Sequence, residues 1–580
     1  MNRNLNLLQI GIISISAVVL FLCLDWGLPS QDRLDILLSG IQITDQLRAD
    51  LNESTEEYFG DRADAERGAL KRIEQQSPPT AYRAHPLGPI LTQEETFQAF
   101  RRYIISSSAD DEREPYIALG RMNPAEFDFD PRGFMYGGAY LYPLGALLAC
   151  MKFVGLFHPD EGIGYFVDHP NDVRNMYLAG RSLSALAFLG VMLVLALLGN
   201  RLGGIIAGSF TMLAWGFSTL ALNQAILSKP HVWTSFWLLL GVYFLLLAEK
   251  GKENRYLFLS GIAMGLGAGS NIFAGLSAAA FGVALIRGER LRSKVGRFVL
   301  LITIALITYG ITNPYVFINP MMYLATILYH GSREGYGYLV LQLSEGLKCL
   351  AEMVFKSYAF PISLVGIMFA LKSALFNTRP LKHLSRAWLI SLLLLAFTVG
   401  VPRILLFLGP VLCLFGGLAV KQLLGSPFFA GWGRRAILVM LILGPGFYSG
   451  CLFAHHSIAD DAWVEPTKAW IRSVGTDEEI IVGLFGPPEP RNTPPVPFLR
   501  SKIINLSKYE GGSHDPEYVL IGSHARDRHA WDAHPLRTQY QLLEVLGYHM
   551  SHEWLPFLRT KSQSHAGAWV YVKGIAKASD

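Results

Sequence analysis

Residues 178–198 have the sequence LAGRSLSALAFLGVMLVLALL, in which Arg181 is the one charged side chain. An α-helix needs about 20 consecutive apolar residues to cross the hydrocarbon core of a bilayer. Because that core contains no water to satisfy the backbone, a chain crosses it as a helix or as a closed barrel. The stretch therefore predicts a membrane-spanning helix.

Blocks of the same kind recur along most of the chain. Of its 580 residues, 51% are hydrophobic and 17% are charged, whereas soluble domains carry about 25% charged residues. The chain is therefore predicted to be an α-helical polytopic membrane protein. Its formal net charge of +4 gives no indication of a nucleic-acid partner. The further apolar blocks are 5–24, 205–227, 232–248, 256–286, 298–313, 357–371, 387–402, 404–420 and 436–454.

The distribution of Lys and Arg between the blocks predicts their orientation, because cytoplasmic loops are rich in these residues. Block 256–286 has basic residues near both ends, so it is expected to enter the membrane and return, with its apex, Gly269–Asn271, near the outer leaflet. Block 138–157 is expected to dip into the outer leaflet as a juxtamembrane helix. This assignment gives about eleven crossings, a cytoplasmic N-terminus and an extracytoplasmic C-terminus.

Three polar regions are then expected on the outer side. Residues 25–137 form a large first outer loop and 312–350 form a second. Residues 455–580 follow the membrane domain, 1–454, as a small C-terminal α/β domain. In this last region EIIVGLF, EYVLIGS and AWVYVKG are typical of short strands. Helices are expected near 465–474 and 536–547.

The first outer loop carries a cluster of acids within SSSADDEREPYIALGRM, residues 106–122. Two cations, Lys229 and Arg403, lie at the outer ends of other apolar blocks. Arg403 is flanked by apolar sequence, and charges so placed are costly and usually functional or paired. A lipid-linked sugar phosphate needs Arg or Lys to hold it, and an acceptor hydroxyl needs a general base. Acids facing embedded cations therefore favour transfer of a sugar from a lipid phosphate.

The order of these features resembles the GT-C superfamily of integral-membrane glycosyltransferases, and within it the polyprenyl-phosphate-sugar-dependent group. That group includes protein O-mannosyltransferases and lipid A aminoarabinose transferases. The resemblance extends through most of 1–454. Its matching features are the acidic pair Asp111-Glu112, the Tyr142-Pro143 entry to a juxtamembrane helix, Arg181 at the start of the next span, NRLGGIIAGSFTMLAW at a turn between spans, TNPYVFINP opening the second outer loop, and PRILLFLGP before a late span.

The resemblance implies that the acid of the first loop, Asp111, is the catalytic base, with Glu112 beside it. It also implies that outer Arg and Lys residues hold the lipid phosphate. Two other acids compete with Asp111 for the role of base. Asp110 is its neighbour, and Asp160 lies in FHPDEGIGYFVDHPND, which looks like a His-Pro-Asp-Glu form that some relatives use. Because this motif follows the juxtamembrane helix instead of preceding it, the order of the motifs favours Asp111.

The chain departs from the resemblance at two positions. Many relatives have an acid after the third span, where this chain has SKPH with His231, and many have Lys at the short hairpin, where this chain has Asn271. The candidates for binding the donor phosphate are Arg403, Lys229 and His231. The candidates for substrate contact are Asp110, Tyr142, Asn271 and Tyr315.

The predicted function is that of an inverting glycosyltransferase at the outer face of the plasma or inner membrane. It would move a sugar from a polyprenyl-phosphate donor to a hydroxyl of a glycan, lipid or protein acceptor, with membrane lipids as its surroundings. No metal site and no certain cofactor are indicated, although a divalent ion bridging Asp111 and the donor phosphate is left open. The alternative is a transporter or flippase of lipid-linked sugars, but such proteins often contain internal repeats, and none is evident.

Overall fold

The computed structural model describes residues 5–54, 89–109, 112–248, 254–286, 291–324, 362–377, 380–399, 406–427, 464–474, 479–485, 495–509, 515–522, 530–547 and 567–573, with isolated positions between them. Helices make up most of the described chain before residue 427, and the named strands all lie after residue 479. The predicted division into a helical membrane part and a small α/β region therefore agrees with the observed order of elements.

The helices before the first long span are mostly short. They are α1 (Leu7–Cys23), α2 (Gln31–Leu37), α3 (45–54), α4 (Gln93–Ile105), α5 (Glu114–Gly120), α6 (Gly138–Phe153) and α7 (Gly162–Phe166). The later ones are α8 (Pro170–Gly203), α9 (Ile205–Gly216), α10 (Thr219–Ala225), α11 (Pro230–Ala248), α12 (Asn254–Ser270), α13 (Phe273–Leu285), α14 (Leu291–Thr312), α15 (Pro314–Ile318), α16 (Ile362–Phe376), α17 (Leu381–Val399), α18 (Gly409–Gly425) and α19 (Val464–Val474).

Several described helices are long and apolar enough to cross a membrane. Four qualify singly, and α9 with α10, which meet at a bend of 64°, would make a fifth. The prediction of a multi-pass membrane protein is confirmed. The number of eleven crossings stays a prediction, and nearly all of block 436–454 lies outside the described residues. The four single spans are Pro170–Gly203, Pro230–Ala248, Ser293–Thr312 and Leu406–Gly425.

Within block 256–286 the chain turns back between α12 and α13, as predicted, while entry into the membrane and the outer position of the apex stay predictions. The two helices have 17 and 13 residues, about 26 and 20 Å at the helical rise. Between them the backbone N–H of Ala274 donates to the Asn271 carbonyl. A Cβ built on Gly261 of α12 or on Gly282 of α13 would lie 3.1 or 2.9 Å from Leu301. Both arms therefore pass the same level of α14.

The C-terminal region forms a five-stranded sheet in the order β2-β1-β3-β5-β4. β1 pairs in parallel with β2 and β3, and β5 pairs antiparallel with β3 and β4. The three predicted strands correspond to β1, β3 and β5, and the helix expected near 465–474 is α19. The strands are β1 (Ile480–Leu484), β2 (Ser501–Asn505), β3 (Tyr518–Gly522), β4 (Tyr540–Gly547) and β5 (Gly567–Lys573).

The helix expected near 536–547 is wrong. A 3₁₀ turn, Pro535–Gln539, leads directly into β4. The apolar run of YQLLEVLG is compatible with either helix or strand, because short apolar runs do not distinguish the two by periodicity. Pairing with β5 decides the outcome, since β5 supplies backbone partners on one side of β4 from Tyr540 to Gly547, with an irregularity between Leu542 and Glu544.

The C-terminal domain packs directly on the first outer loop. The N–H of Leu91 donates to the Ile503 carbonyl at 2.9 Å, and the N–H of Asn505 donates to the Pro89 carbonyl at 2.8 Å. The rings of Tyr103 and Phe498 lie 4.9 Å apart between centroids. Apolar side chains of both regions belong to one buried cluster. The two regions therefore lie on the same side of the membrane; that this side is the outer one stays a prediction.

Candidate active site

A fully buried ion pair lies where the first outer loop meets α8. Nε of Arg181 is 2.7 Å from Oε1 of Glu112, and Nη2 of Arg181 is 2.8 Å from Oε2. Neither side chain is exposed to solvent. Two parallel N–H···O bonds of this kind are the strongest form of arginine–carboxylate pairing. Arg181, the one charged residue of the apolar block 178–198, is thus held by Glu112, which lies 69 positions earlier in the chain.

Further hydrogen bonds complete this pair. The backbone N–H of Ser228 donates to Oε1 of Glu112 at 2.7 Å, and the Ser107 hydroxyl donates to Oε2. The other terminal nitrogen of Arg181 donates to the carbonyls of Leu24 and Trp26, which follow α1. The pair therefore ties together the end of α1, the first outer loop, α8 and the segment before α11.

The pKa of Glu112 reflects two opposing effects. Burial raises this pKa. The charge and hydrogen bonds of Arg181, together with the donors Ser107 and Ser228, lower it by more than burial raises it, so the pKa of Glu112 lies below its ordinary value. Glu112 is ionised at neutral pH. Because both of its oxygens already accept hydrogen bonds, its contacts favour a role in positioning the loop over a role in accepting a proton.

Three of the predicted residues lie outside the described part of the chain: Asp110, Asp111 and Arg403. Their sequence neighbours are described. Glu112 follows Asp111 directly, and Leu406 lies three positions after Arg403. The Leu406 carbonyl accepts a hydrogen bond of 3.2 Å from the Ser235 hydroxyl of α11. The chain that follows Arg403 therefore packs on the first turns of α11.

Lys229 and His231 lie at the start of α11 and are buried, with 2% and 4% exposure. The Ser184 hydroxyl donates to the Lys229 carbonyl at 3.2 Å. The ring of His231 lies 6.3 Å from each of two rings, those of Tyr136 and Phe407. Since Lys229 directly follows Ser228, whose N–H holds Glu112, these two candidates adjoin the buried ion pair.

An open cleft of about 580 Å³ lies at the same end of the helices. Three predicted substrate-contact residues line it together: Tyr142 of α6, Asn271 of the hairpin apex and Tyr315 of α15. Tyr136, which packs on His231, lines it as well. The cleft and the start of α11 are therefore neighbours, although the candidates come from widely separated parts of the sequence.

The cleft exists because three helix ends approach very closely. A Cβ on Gly137 would lie 1.9 Å from the Gly269 carbonyl oxygen, and one on Gly138 would lie 1.9 Å from the Thr312 carbonyl oxygen. Only glycine fits at such distances. Asn313 fixes the junction, because its Oδ1 accepts from the N–H of Gly138 at 2.8 Å and its Nδ2 donates to the Gly269 carbonyl at 3.1 Å.

A loop that the sequence analysis did not single out borders the cleft. The Tyr315 hydroxyl accepts from the N–H of Phe129 at 3.1 Å, and the Tyr142 hydroxyl donates to the Phe129 carbonyl at 3.4 Å. Phe127 and Arg132 have φ angles of 57° and 48°, which non-glycine residues rarely adopt. The aromatic and acidic sequence EFDFDPRGF indicates a special loop, but it does not reveal these tyrosine contacts.

Sequence reasoning also missed the hydroxyl cluster that joins α6 to the ion pair. The Tyr116 hydroxyl donates to Oγ of Ser228 at 2.7 Å, and the Tyr140 hydroxyl lies 3.2 Å from the same atom. Burial, the nearby Tyr140 and the negative charge of Glu112 raise the pKa of Tyr116 well above its ordinary value. This phenol stays neutral and serves as a hydrogen-bond donor.

The competing acid Asp160 lies beyond the far end of α6. It pairs with Lys152 at 2.5 Å, and its side chain is 71% exposed. Ten residues of helix separate Lys152 from Tyr142, about 15 Å along the axis. The geometry thus places Asp160 away from the cleft and the buried pair. Among the described residues no group of three or more His, Cys, Asp and Glu side chains could hold a metal ion.

No protein-family model matches the chain, and no curated protein sequence matches it. Among solved structures it is similar to ArnT from Cupriavidus metallidurans in the apo state, with 12% identity, coverage of 80% of this chain and 93% of ArnT, and a TM-score of 0.42. It is also similar to ArnT bound to undecaprenyl phosphate, with 12% identity, coverage of 81% of this chain and 94% of ArnT, and a TM-score of 0.41.

The oligosaccharyltransferase of Archaeoglobus fulgidus tethered to an acceptor peptide is a further similar structure. Its identity is 13%, the coverage is 60% of this chain and 51% of that one, and the TM-score is 0.39. The chain thus spans about half the length of that protein. The resemblance stated from the sequence stays a prediction, because these structures share only 12–13% identity and TM-scores of 0.39–0.42 with this chain.

Proposed function

We propose that the protein is an inverting glycosyltransferase. It transfers a sugar from a polyprenyl-phosphate donor to an acceptor hydroxyl of a glycan, lipid or protein at the outer face of the membrane. One observation carries the proposal: the buried Glu112–Arg181 pair, the start of α11 with Lys229 and His231, and a cleft lined by predicted substrate-contact residues all lie at one end of the helices.

Asp111 is the proposed general base. It directly precedes Glu112, whose carboxylate is held by Arg181, Ser107 and Ser228. Such fixed attachment at the neighbouring residue is what a catalytic group needs, because small misplacements greatly reduce rate. In the proposed step Asp111 takes the proton of the acceptor hydroxyl while the hydroxyl oxygen attacks the anomeric carbon.

The bond between the anomeric carbon and the phosphate oxygen breaks in the same step, and polyprenyl phosphate leaves with its electron pair. Attack from the side opposite the leaving phosphate inverts the anomeric centre. Lys229 and Arg403, with His231, are the groups proposed to stabilise the phosphate. Lys229 is 2% exposed, and attraction between charges is stronger where water is excluded. Because the leaving group is a phosphate, it needs nearby positive charge to stabilise it and does not need a general acid to protonate it.

The assay for this function measures transfer of a radiolabelled sugar from a polyprenyl-phosphate donor by the purified protein in detergent. We expect Asp111→Asn to lose at least about 100-fold in rate, the usual contribution of a general base. Asp160→Asn is the matched control, and it should retain wild-type rate. Wild-type activity in Asp111→Asn, or an equal loss in Asp160→Asn, would overturn the assignment of the base.

The proposed outer location is tested separately by labelling. Phe127 is 83% exposed in the first loop, so Phe127→Cys offers a test thiol once the exposed Cys150 and also Cys349 and Cys451, which lie outside the described residues, are replaced by Ser. A membrane-impermeant maleimide added to intact cells should label this variant. Labelling only after the cells are opened would place the first loop, and the reaction, on the cytoplasmic side.

A further inference from the structure

The described lining of the cleft contains no charged side chain. It consists of tyrosine and asparagine side chains, apolar side chains and glycines. A charged group of a ligand bound here would gain no opposite charge from these lining residues, and any hydration that it lost on binding would be costly.

Asn271 offers the cleft free hydrogen-bonding capacity. It is 8% exposed, and its Oδ1 accepts from the N–H of Phe273 at 3.2 Å. Its Nδ2, which carries two N–H donors, has no hydrogen-bond partner among the described residues. Asn313 of the same cleft, equally buried, differs because both ends of its amide are used within the protein. Asn313 thus holds the fold together, whereas Asn271 is available to a ligand.

Two tyrosine hydroxyls extend this pattern. The Tyr315 hydroxyl accepts from Phe129, so its own proton remains for a ligand. The Tyr142 hydroxyl donates to the carbonyl of Phe129, so its lone pairs remain. Together with Asn271 the cleft presents neutral donors and a neutral acceptor beside aromatic faces. These groups match a ring bearing several hydroxyls, each of which can both donate and accept.

We propose that this cleft holds the sugar of the donor and that the sugar is neutral, without an amino or carboxylate group. This inference rests on the proposed function and names its substrate class. Asn271 and Tyr315 are the specificity-determining residues. A site built to bond hydroxyl groups discriminates strongly against a ligand that leaves buried polar groups unpaired, and a cationic or anionic sugar would add an uncompensated charge.

The test compares donors on the purified full-length protein. The donors are polyprenyl phosphates carrying a neutral hexose, an amino sugar or a uronic acid, and kcat/KM is measured for each. We expect the neutral hexose to exceed both charged sugars by at least about tenfold. Asn271→Asp adds one negative charge and keeps the acceptor oxygen for Phe273. It should lower the ratio of neutral to amino sugar by at least about tenfold.

Tyr315→Phe keeps the ring and removes one donor, so it should lower kcat/KM for the neutral donor about tenfold. Monodisperse elution and an unchanged Tm establish that each variant is folded. A wild-type preference for the amino sugar or the uronic acid would overturn this inference and leave the transferase function standing. An unchanged ratio of neutral to amino sugar in the folded Asn271→Asp variant would also overturn this inference and leave the transferase function standing. Absence of transfer from every donor would overturn the proposed function itself.

Discussion

Replacing Glu112 by Gln is expected to destabilise the protein strongly. The substitution keeps the size of the side chain but leaves the Arg181 guanidinium buried at 0% exposure without its counter-charge. Breaking a buried ion pair by removing one partner costs about 3–5 kcal/mol. That range corresponds to a change of roughly 150- to 4,000-fold in the folding equilibrium. The amide also turns N–H groups toward the donors that the carboxylate accepted.

The assay is equilibrium unfolding of the purified protein in detergent, followed by tryptophan fluorescence. The matched control is Asp45→Asn, the same kind of change at an acid that pairs with Arg48 while fully exposed. Exposed pairs contribute about 0–1 kcal/mol, so the control should behave as the wild type. A loss below about 1 kcal/mol in Glu112→Gln would refute the reasoning, because a charge truly buried without a partner cannot be so inexpensive.

A double-mutant cycle separates the pair from its surroundings. Arg181→Met removes the cation and also frees the carbonyls of Leu24 and Trp26, so it too should be destabilising. In the double variant neither charge remains. Its loss should therefore be smaller than the sum of the two single losses by at least about 2 kcal/mol. Simple additivity would mean that the two side chains do not interact.

The remaining predictions concern packing, pH and the C-terminal domain. Gly138→Ala should prevent stable folding, because the added Cβ would lie 1.9 Å from a carbonyl oxygen. In the control Gly11→Ala the added Cβ has nothing within 4 Å, so this variant should unfold at the wild-type temperature or slightly above it. Thermal unfolding measures both variants. Folding lowers the pKa of Glu112. The ionised carboxylate therefore stabilises the fold fully at pH values above the ordinary pKa of a glutamate, about 4.3. This stabilisation is lost as the pH falls through the lower pKa of the folded state. Unfolding measured from pH 7 to 3 should show this acid loss in the wild type and not in Glu112→Gln. Deleting 464–580 should expose the buried cluster shared with the first outer loop and make residues 89–105 protease-sensitive, whereas unchanged protection there would contradict the shared core.

The sequence allows the membrane helices and the hairpin at Asn271 to be predicted because both depend on local composition. Apolar length determines which segments can enter a bilayer, and basic residues at both ends of 256–286 imply a return. The same composition indicates Tyr142, Asn271 and Tyr315 only through the resemblance of motifs. Their common cleft depends on close glycine contacts between distant helices, and no local rule reveals those contacts.

The partner of Arg181 could not be predicted for the same reason. The sequence shows a costly charge at the start of a span and an acidic cluster 69 positions earlier, but several acids of that cluster are equivalent by composition. Burial distinguishes Glu112 from the half-buried Glu114, and burial is a property of the folded chain. The Ser228 hydroxyl, which joins Tyr116 and Tyr140 to this pair, has no sequence signal beyond its place before Lys229.

The pairing of residues 89–91 with β2 has a consequence for biosynthesis. Leu91 reaches the ribosome exit long before Ile503, its hydrogen-bond partner. At about 5–20 residues per second, the roughly 410 residues between them take about 20–80 s to make. During this time most of the apolar blocks must insert while the first outer loop lacks the C-terminal side chains of its buried cluster. The first outer loop, next to the proposed site, therefore completes its packing last, and a truncated nascent chain can occupy the membrane before that packing exists.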